Sequence, residues 1–233
     1  MIELNDNIID ILLQEKTTNS DINVNPYNTI PRYMKEYGDQ KDRTKTKAEV
    51  FTPVSIVKRM NDSFDVNYMG SYEDYICRRV LEVTCGEAPF LTTRYDASTG
   101  QQIPCCERVG LLDRKLQRIP DSVDKSEWTA LATRSLQATY GYEWQEDSIF
   151  LARKNLLLNV IEYYVYKFKE LPKQNVIEEW ATIISYNIFR MDGVTLCIPE
   201  TNIKSKVMNW ENNMFENFDG SKDSLKEIET SLF

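Results

Sequence analysis

The 233-residue chain contains no histidine. Imidazole is the side chain whose charge ordinarily changes near neutral pH, so its absence removes imidazole acid-base chemistry. It also excludes Ser-His and Cys-His nucleophilic catalysis and every metal site that needs a histidine ligand. Any chemistry in this chain therefore depends on carboxylates, amides, hydroxyls, thiols or a bound cofactor.

Cysteines are few, and their spacing is uninformative for metal binding. The five are Cys77, Cys85, Cys105, Cys106 and Cys197. An odd number without a C-x-x-C pair supports neither a zinc knuckle nor a disulfide framework. Cys105 and Cys106 are adjacent, and a disulfide between neighbours closes a strained ring. We therefore expect free thiols in a reducing compartment and no metal.

Long apolar runs are also missing. No stretch approaches the roughly 20 apolar residues that a membrane-spanning helix needs. The first residues, MIELNDNIIDILLQEK, place acids among apolar residues, unlike a secretory signal with its basic start and uninterrupted apolar stretch. The sequence predicts a cytoplasmic protein without a membrane partner.

Apolar residues make up 42% of the chain and aromatic residues 11%, which is enough for a packed core. The predicted order is strand, glycine turn, helix, strand, helix, strand, which is typical of a doubly wound α/β fold. We expect an N-terminal helical and loop segment at 1–47, a ligand-binding domain at 48–212 and a polar C-terminal tail at 213–233. Residues 96–120 are predicted to be an insertion between the first two core strands.

Apolar periodicity supports this order. Residues spaced three and four apart predict helices at 2–14, 54–64, 126–140, 147–169 and 175–188. Short apolar runs bounded by turn signals predict strands at 78–83, 140–144 and 203–210. In a parallel sheet of this kind, the ligand is expected at the carboxyl ends of the strands.

The formal net charge is -8, which opposes long-range attraction to a polyanion. Residues 32–47 are locally basic. A solvated surface is the favoured interpretation of this segment, and a patch that contacts phosphates is the alternative. Contact with DNA would depend on such a local patch or on a partner protein.

Acidic residues end the first two predicted core strands. The first strand delivers Glu82 and then a turn at Gly86, where the missing Cβ lets main-chain N–H groups approach a ligand. Such a turn alone is most often only a turn. The second strand ends in Glu143, whose carboxylate is suited to accept hydrogen bonds from both hydroxyls of a ribose.

Four segments in chain order resemble the gamma-type amino-methyltransferases that act on DNA adenine. They resemble more closely the short subunit M proteins of restriction-modification systems. The four segments, called the motif segments below, are AEVFTP at 48–53, LEVTCGEAPFL at 81–91, GYEWQED…LARKNL at 141–156 and NIFRMDG at 187–193. The second segment departs from the family pattern because Ala88 replaces its second glycine.

The resemblance implies a truncated Rossmann-like SAM-dependent methyltransferase fold, with N-terminal helices and an insertion between the first two core strands. Its cofactor is S-adenosylmethionine, and 48–212 is then the domain that binds it. The implied cofactor-binding residues are Phe51, Thr52, Pro53, Glu82, Thr84, Cys85, Gly86, Glu143, Trp144 and Asp192. By this resemblance, segment 48–53 contacts the methionine part of the cofactor, and Glu82 and Gly86 hold the amino-acid portion of the cofactor. The resemblance also implies that Glu143 accepts hydrogen bonds from the ribose and that Asp192 binds the adenine amino group.

The family's catalytic element, [NDS]-P-P-[YFW], is missing, since the chain contains no Pro-Pro. In the family this element binds the target amine and stacks an aromatic ring on the flipped base. At about the expected distance after Asp192 stand Asn209 and Trp210, which are the catalytic candidates. The alternative is that Asn-Trp at a strand end is structural.

Three functions remain open from the sequence. The first is an adenine-N6 DNA methyltransferase subunit of a restriction-modification system, acting on DNA with a second polypeptide. The second is a catalytically incomplete SAM-binding partner or regulatory module, which the missing Pro-Pro and the acidic charge favour. The third is methyl transfer to an acceptor other than DNA.

Overall fold

The computed structural model describes residues 2–16, 20–47, 52–218 and 229–230. Within these residues the chain is a mixed α/β protein in which helices pack against a parallel sheet. The α/β class predicted from the sequence is confirmed.

The helices are α1 Asp6–Leu13, α2 Tyr37–Lys47, α3 Val54–Asp65, α4 Tyr72–Cys77, α5 Leu111–Gln117, α6 Lys125–Gln137, α7 Glu146–Phe168 and α8 Gln174–Asn187. The strands are β1 Gln14–Glu15, β2 Ser20–Asp21, β3 Val80–Glu82, β4 Thr139–Glu143, β5 Ile188–Arg190, β6 Lys206–Asn209, β7 Met214–Asn217 and β8 Glu229–Thr230. All five helices predicted from periodicity are present, with ends that differ by a few residues.

The main sheet has the order β5-β4-β3-β8, and all its pairs are parallel. Glu82 lies opposite Gly141 on the neighbouring strand, and Glu143 lies opposite Arg190. The carboxyl ends of β3, β4 and β5 therefore share one edge of the sheet. This edge is called the carboxyl edge below, and the opposite one the amino edge.

The helices that connect the strands lie on one face of this sheet. The chain steps from β3 to β4 to β5 in one direction, and right-handed crossovers then place the connecting helices on the same side. Side chains alternate along each strand: Val80 and Ile188 pack into the helical core, whereas Leu81 and Phe189 point to the other face. This arrangement differs from the predicted doubly wound fold, which has helices on both faces.

The second face is covered by a β-hairpin. Strand β6 pairs antiparallel with β7 and forms a separate two-stranded sheet. Val207 and Phe218 pack from this side onto the tyrosines of β4. The strand predicted at 203–210 thus exists, but outside the parallel sheet. The segment predicted as a polar tail from residue 213 contributes β7 and the buried Phe218.

The N-terminal segment is joined to the same core. Ile8 and Leu12 of α1 are buried among the helices. Arg153 on α7 is fully buried, and its guanidinium donates to the Glu15 carboxylate and to the carbonyls of Leu12, Gln14, Ser185 and Ile188. The first helix is therefore fixed against α7, α8 and the edge strand β5.

The predicted insertion at 96–120 also packs into the core. It begins as a loop, passes a 3₁₀ turn at Cys105–Glu107, and ends in α5. Leu111, Leu112 and Leu116 of α5 are buried in the helical cluster. None of the described helices has the length and apolar composition to cross a membrane.

Candidate functional site

A cavity of about 750 Å³ opens at the carboxyl edge, above the ends of β3 and β4. Its volume lies within the range of roughly 300–1,000 Å³ that is usual for small-molecule sites. The loop after β3, the start of α7 and the C-terminal end of α2 complete its walls. The cavity lies where the sequence predicts the ligand.

Most of the predicted cofactor-binding residues line this cavity: Thr52, Glu82, Thr84, Cys85, Gly86, Glu143 and Trp144. Pro53 is the N-cap of α3 and does not contribute to the lining. Phe51 lies outside the described residues. Asp192, Asn209 and Trp210 do not line the cavity.

The loop after β3 has an unusual backbone. Thr84, Gly86 and Ala88 have φ values of 47°, 54° and 63°, all in the left-handed region. A β-branched threonine rarely adopts this conformation, which is found where the surrounding structure enforces it. A Cβ added to Gly86 would meet no heavy atom within 4 Å, so the space above this residue is open. The sequence predicts a helix directly after this turn. The structure shows none there, since the next described α-helix begins at Leu111.

Glu82 forms the floor of the cavity. It is buried, and its carboxylate accepts hydrogen bonds from the amides of Phe90 and Leu91 at 3.3 and 3.1 Å. Burial raises the pKa of Glu82, the two amides oppose this rise, and the nearby Glu143 carboxylate adds to it. Glu82 therefore stabilises the loop through these two hydrogen bonds, and it also lines the cavity.

Glu143 links the loops that follow β3 and β4. One carboxylate oxygen accepts from the amides of Trp144 and Gln145, and the other accepts from the amide of Gly86 at 2.9 Å. A carboxylate offers about four acceptor positions. The three backbone bonds fix its orientation and leave one position for a ligand hydroxyl.

A buried polar wall faces these acids. The Tyr95 hydroxyl donates to the Glu87 carboxylate at 2.5 Å and accepts from the Asn155 amide at 2.9 Å. Burial, reinforced by the Glu87 carboxylate, raises the pKa of Tyr95. Asn155 was not among the predicted site residues, although it stands in the third motif segment. Its position in that segment was the available signal.

Arg94, a cation beside this wall, is paired with a carboxylate. Arg94 forms a two-pronged contact with Glu162, with nitrogen to oxygen distances of 3.1 and 2.6 Å. Arg108 binds the same carboxylate at 2.6 Å. Burial works against ionisation of Glu162, but the two guanidinium groups outweigh it and lower its pKa. Arg94, Arg108 and Glu162 thus form an ion-pair cluster next to the cavity wall.

Helix α2 is held at the cavity mouth by ion pairs. Asp147, in the first turn of α7, contacts Arg43 at 2.8 Å and Lys35 at 3.3 Å. Lys45 and Thr46 of α2 line the cavity. Two cations of the basic segment 32–47 are thus engaged within the protein. These two cations therefore form mostly buried ion pairs, an arrangement that differs from both a solvated surface and a phosphate-contacting patch.

Asp192 follows β5 but does not face the cavity. Its carboxylate accepts from the amide of Val194 at 2.8 Å and from the hydroxyl of Thr195 at 2.7 Å. These two bonds lower the pKa of Asp192 and close the turn after the strand. The adenine-binding role implied by the resemblance therefore finds no support in this geometry.

Asn209 and Trp210 lie at the amino edge, on the far side of the sheet from the cavity. The indole N–H of Trp210 donates to the side-chain oxygen of Asn187, the residue just before β5. Asn209 donates to Glu216 across the hairpin. The structure contradicts their assignment to a catalytic site at the cavity, because β6 pairs with β7 instead of extending the parallel sheet.

No group of three or more potential ligands arranged to hold a metal ion occurs in the part of the chain that the structure describes. All five cysteines are free thiols.

Comparison with known proteins found no matching family model, no matching curated protein and no matching solved structure. The cavity at the carboxyl edge is thus the observation on which a function can be argued.

Proposed function

We propose that the cavity binds a nucleoside cofactor, S-adenosylmethionine, and that the chain acts as a SAM-binding partner or regulatory module. The observation that carries the proposal is the meeting of Glu82, Gly86 and Glu143 around one cavity. They come from two strands whose ends lie side by side, although Glu143 is separated by 57 residues from Gly86 in the chain.

Each part of the cofactor finds a suitable group. The remaining acceptor position of Glu143 takes a ribose hydroxyl. Trp144 is 40% exposed beside it, and its ring offers a stacking face for the adenine. The carboxylates of Glu87 and Glu143 line the space and favour the positive charge of a sulfonium.

The glycine turn is less suited to a dinucleotide. Dinucleotide sites place the pyrophosphate at the N-terminus of a helix that follows the turn directly. Here the described chain runs from Glu82 through turns and a 3₁₀ segment before α5 begins at Leu111. The helix dipole that would stabilise a pyrophosphate is therefore missing from this position.

Methyl transfer to adenine N6 of DNA, with a second subunit, is the second candidate. The order of the four motif segments favours it. Against catalysis by this chain alone stands the location of Asn209 and Trp210 at the amino edge, where they cannot reach a methyl group in the cavity. The net charge of -8 also opposes binding of DNA without a partner.

Isothermal titration with S-adenosylmethionine and S-adenosylhomocysteine tests the binding proposal. We expect both to bind, and Glu143→Gln to weaken binding by about tenfold or more, which corresponds to about 1.4 kcal/mol. Glu127→Gln, on an exposed position of α6, is the matched control and keeps the affinity. Equal affinity of the Glu143 variant and the native protein, with both folded by circular dichroism, would refute the ribose assignment.

A tritiated-methyl assay separates the two candidate functions. The chain is incubated with labelled S-adenosylmethionine and DNA, alone and with the product of a neighbouring gene. A binding module alone transfers no label to DNA. Transfer by the isolated chain contradicts that role, and transfer only in the presence of the second protein supports the methyltransferase subunit.

A further inference from the structure

We infer that the site rejects nucleotides carrying a 5′-phosphate and selects nucleosides whose 5′ substituent is neutral or positively charged. The inference rests on the proposed function, since it concerns which nucleoside the cavity accepts. The observation behind it is that the carboxylates of the protein itself occupy the anion-binding positions of the turn after β3.

Four amides of this turn already donate to acceptors within the protein. Backbone N–H groups in a glycine turn with left-handed residues commonly bind phosphate oxygens. Here the Gly86 amide donates to Glu143, and the amides of Phe90 and Leu91 donate to Glu82. The Ala88 amide donates to the carbonyl of Cys85. A phosphate at this place would have to displace a carboxylate from its bonds.

The charges near the turn act in the same direction. Glu82, Glu87 and Glu143 all line the cavity around Gly86. The guanidinium of Arg94 is bound in a two-pronged contact to Glu162. Two further cations line the cavity: Lys45 from α2, and Arg32, whose guanidinium donates to the carbonyl of Gln40 and the hydroxyl of Thr44. An anion above the turn therefore meets carboxylates in a partly buried setting, where charge repulsion is screened only weakly.

The position of the ribose connects these facts to the 5′ group. Glu143 binds the Gly86 amide at 2.9 Å, so a ribose held by Glu143 lies next to the turn. The open space above the α-carbon of Gly86 is then the place for the 5′ substituent. A thioether or a sulfonium fits this surrounding, whereas a phosphate introduces a further negative charge.

Adenosine and adenosine monophosphate form the decisive pair of probes, because they differ only by the 5′-phosphate. By titration calorimetry on the full chain we expect the monophosphate to bind about tenfold or more weakly than adenosine. Raising the ionic strength from about 0.05 M to about 0.5 M should narrow this ratio, because salt screens repulsion between charges. S-adenosylmethionine is titrated alongside as the reference ligand.

Charge-neutralising variants identify the source of the discrimination. Glu87→Gln and Glu143→Gln should each narrow the ratio by about threefold or more, since each removes one negative charge from the cavity. The ratio compares two ligands on one protein, so a loss of affinity common to both cancels. Glu127→Gln should leave it unchanged. Glu87→Gln keeps the test available if Glu143→Gln binds both ligands too weakly to measure.

The outcomes distinguish this inference from the proposed function. If adenosine and its monophosphate bind the native protein equally well, or the monophosphate binds better, the discrimination is overturned while the nucleoside site stands. If the ratio is unchanged in both glutamine variants, the carboxylates are not its cause and the inference fails. If neither adenosine nor S-adenosylmethionine binds, the proposed function fails, and this inference fails with it.

Discussion

The two edges of the parallel sheet carry similar polar side chains but are built differently. At the amino edge, Asn187 donates to the carbonyls of Leu136, Gln137 and Thr139 and accepts from the indole of Trp210. At the carboxyl edge, the acids bind backbone amides and still face a cavity of about 750 Å³. Polar residues at strand ends therefore indicate a ligand site only where their bonds leave space beside them.

Lys115 shows how completely the amino edge is filled. Its ammonium group is buried and donates to the carbonyls of Arg78 and Ala138 and to the hydroxyl of Thr139. Burial lowers the pKa of Lys115 to about 7. The three acceptors match the three protons of the group. The amino edge thus encloses the Lys115 side chain, whereas the carboxyl edge has room for a ligand.

The largest effect is expected from Asn187→Leu, which breaks the amino edge. The variant leaves the indole N–H of Trp210 and several buried carbonyls without their partner, and we expect a loss of about 3 kcal/mol in the free energy of unfolding. Urea denaturation measures it, with Asn202→Leu on the exposed loop before β6 as the control. The affinity of the folded variant for S-adenosylmethionine should be unchanged. A stability equal to that of the native protein would show that this network is not needed.

Lys115→Met sharpens the comparison through pH. The pKa of Lys115 is about 7 in the folded protein and near its ordinary value of 10.5 in the unfolded chain. Between these two pKa values Lys115 is protonated in the unfolded chain and neutral in the folded protein. Its contribution to the free energy of unfolding therefore rises with pH, by at most about 1.4 kcal/mol per pH unit. Below pH 7 the residue is charged in both states and the contribution is constant. The variant loses this slope.

Urea denaturation of Lys115→Met and the native protein between pH 6 and 9 measures the slope that Lys115 contributes. Lys173→Met, at the exposed N-cap of α8, is the matched control and should keep the native pH dependence. Parallel pH profiles of the Lys115 variant and the native protein would contradict a depressed pKa at this buried position.

Gly86→Ala acts at the carboxyl edge. The positive φ of this residue costs an alanine about 1–2 kcal/mol of stability, although no neighbouring atom obstructs the new methyl group. The methyl group also enters the space assigned to the 5′ substituent, so the affinity for S-adenosylmethionine should fall. Thermal melts and calorimetry measure the two effects. Gly38→Ala in α2 serves as the control, because it needs no left-handed backbone.

The smallest effect is expected from Trp210→Phe. The substitution removes one hydrogen bond, to Asn187, and should cost about 1 kcal/mol. Ligand affinity should stay the same because the residue lies at the amino edge. Trp144→Phe, at the cavity, is the informative counterpart and should change the affinity. A large loss of ligand binding in the Trp210 variant alone would restore this residue to the functional site.

Much of the fold follows from the sequence because the signals are local. The long apolar face of α7 and the short runs at β3 and β4 are read from neighbouring residues. Strand β5 was missed, since Ile188 continues the apolar pattern of α8 and only three residues form the strand. The third parallel strand was thus expected at 203–210, which instead pairs with β7.

The site divides in the same way. Glu82, Gly86 and Glu143 stand at strand ends that neighbour each other in chain order, so their meeting was predictable. Asn155 reaches the cavity from the side of a long helix, and Glu87 is held there by Tyr95 and the amide of Arg32. The contacts of Glu87 with Arg32 and Asn155 join residues 55 and 68 positions apart, so apolar periodicity does not indicate them; for Asn155 the third motif segment was the only signal.

The sequence by itself determined the elements, the glycine turn and the acids that end β3 and β4, because backbone preferences and apolar periodicity act over a few residues. Only the tertiary structure decided which strand pairs with which, and so which polar ends border a cavity and which are enclosed. Strand pairing depends on the packing of the whole chain, which is why Asn209 and Trp210 lie at one edge and Glu143 at the other.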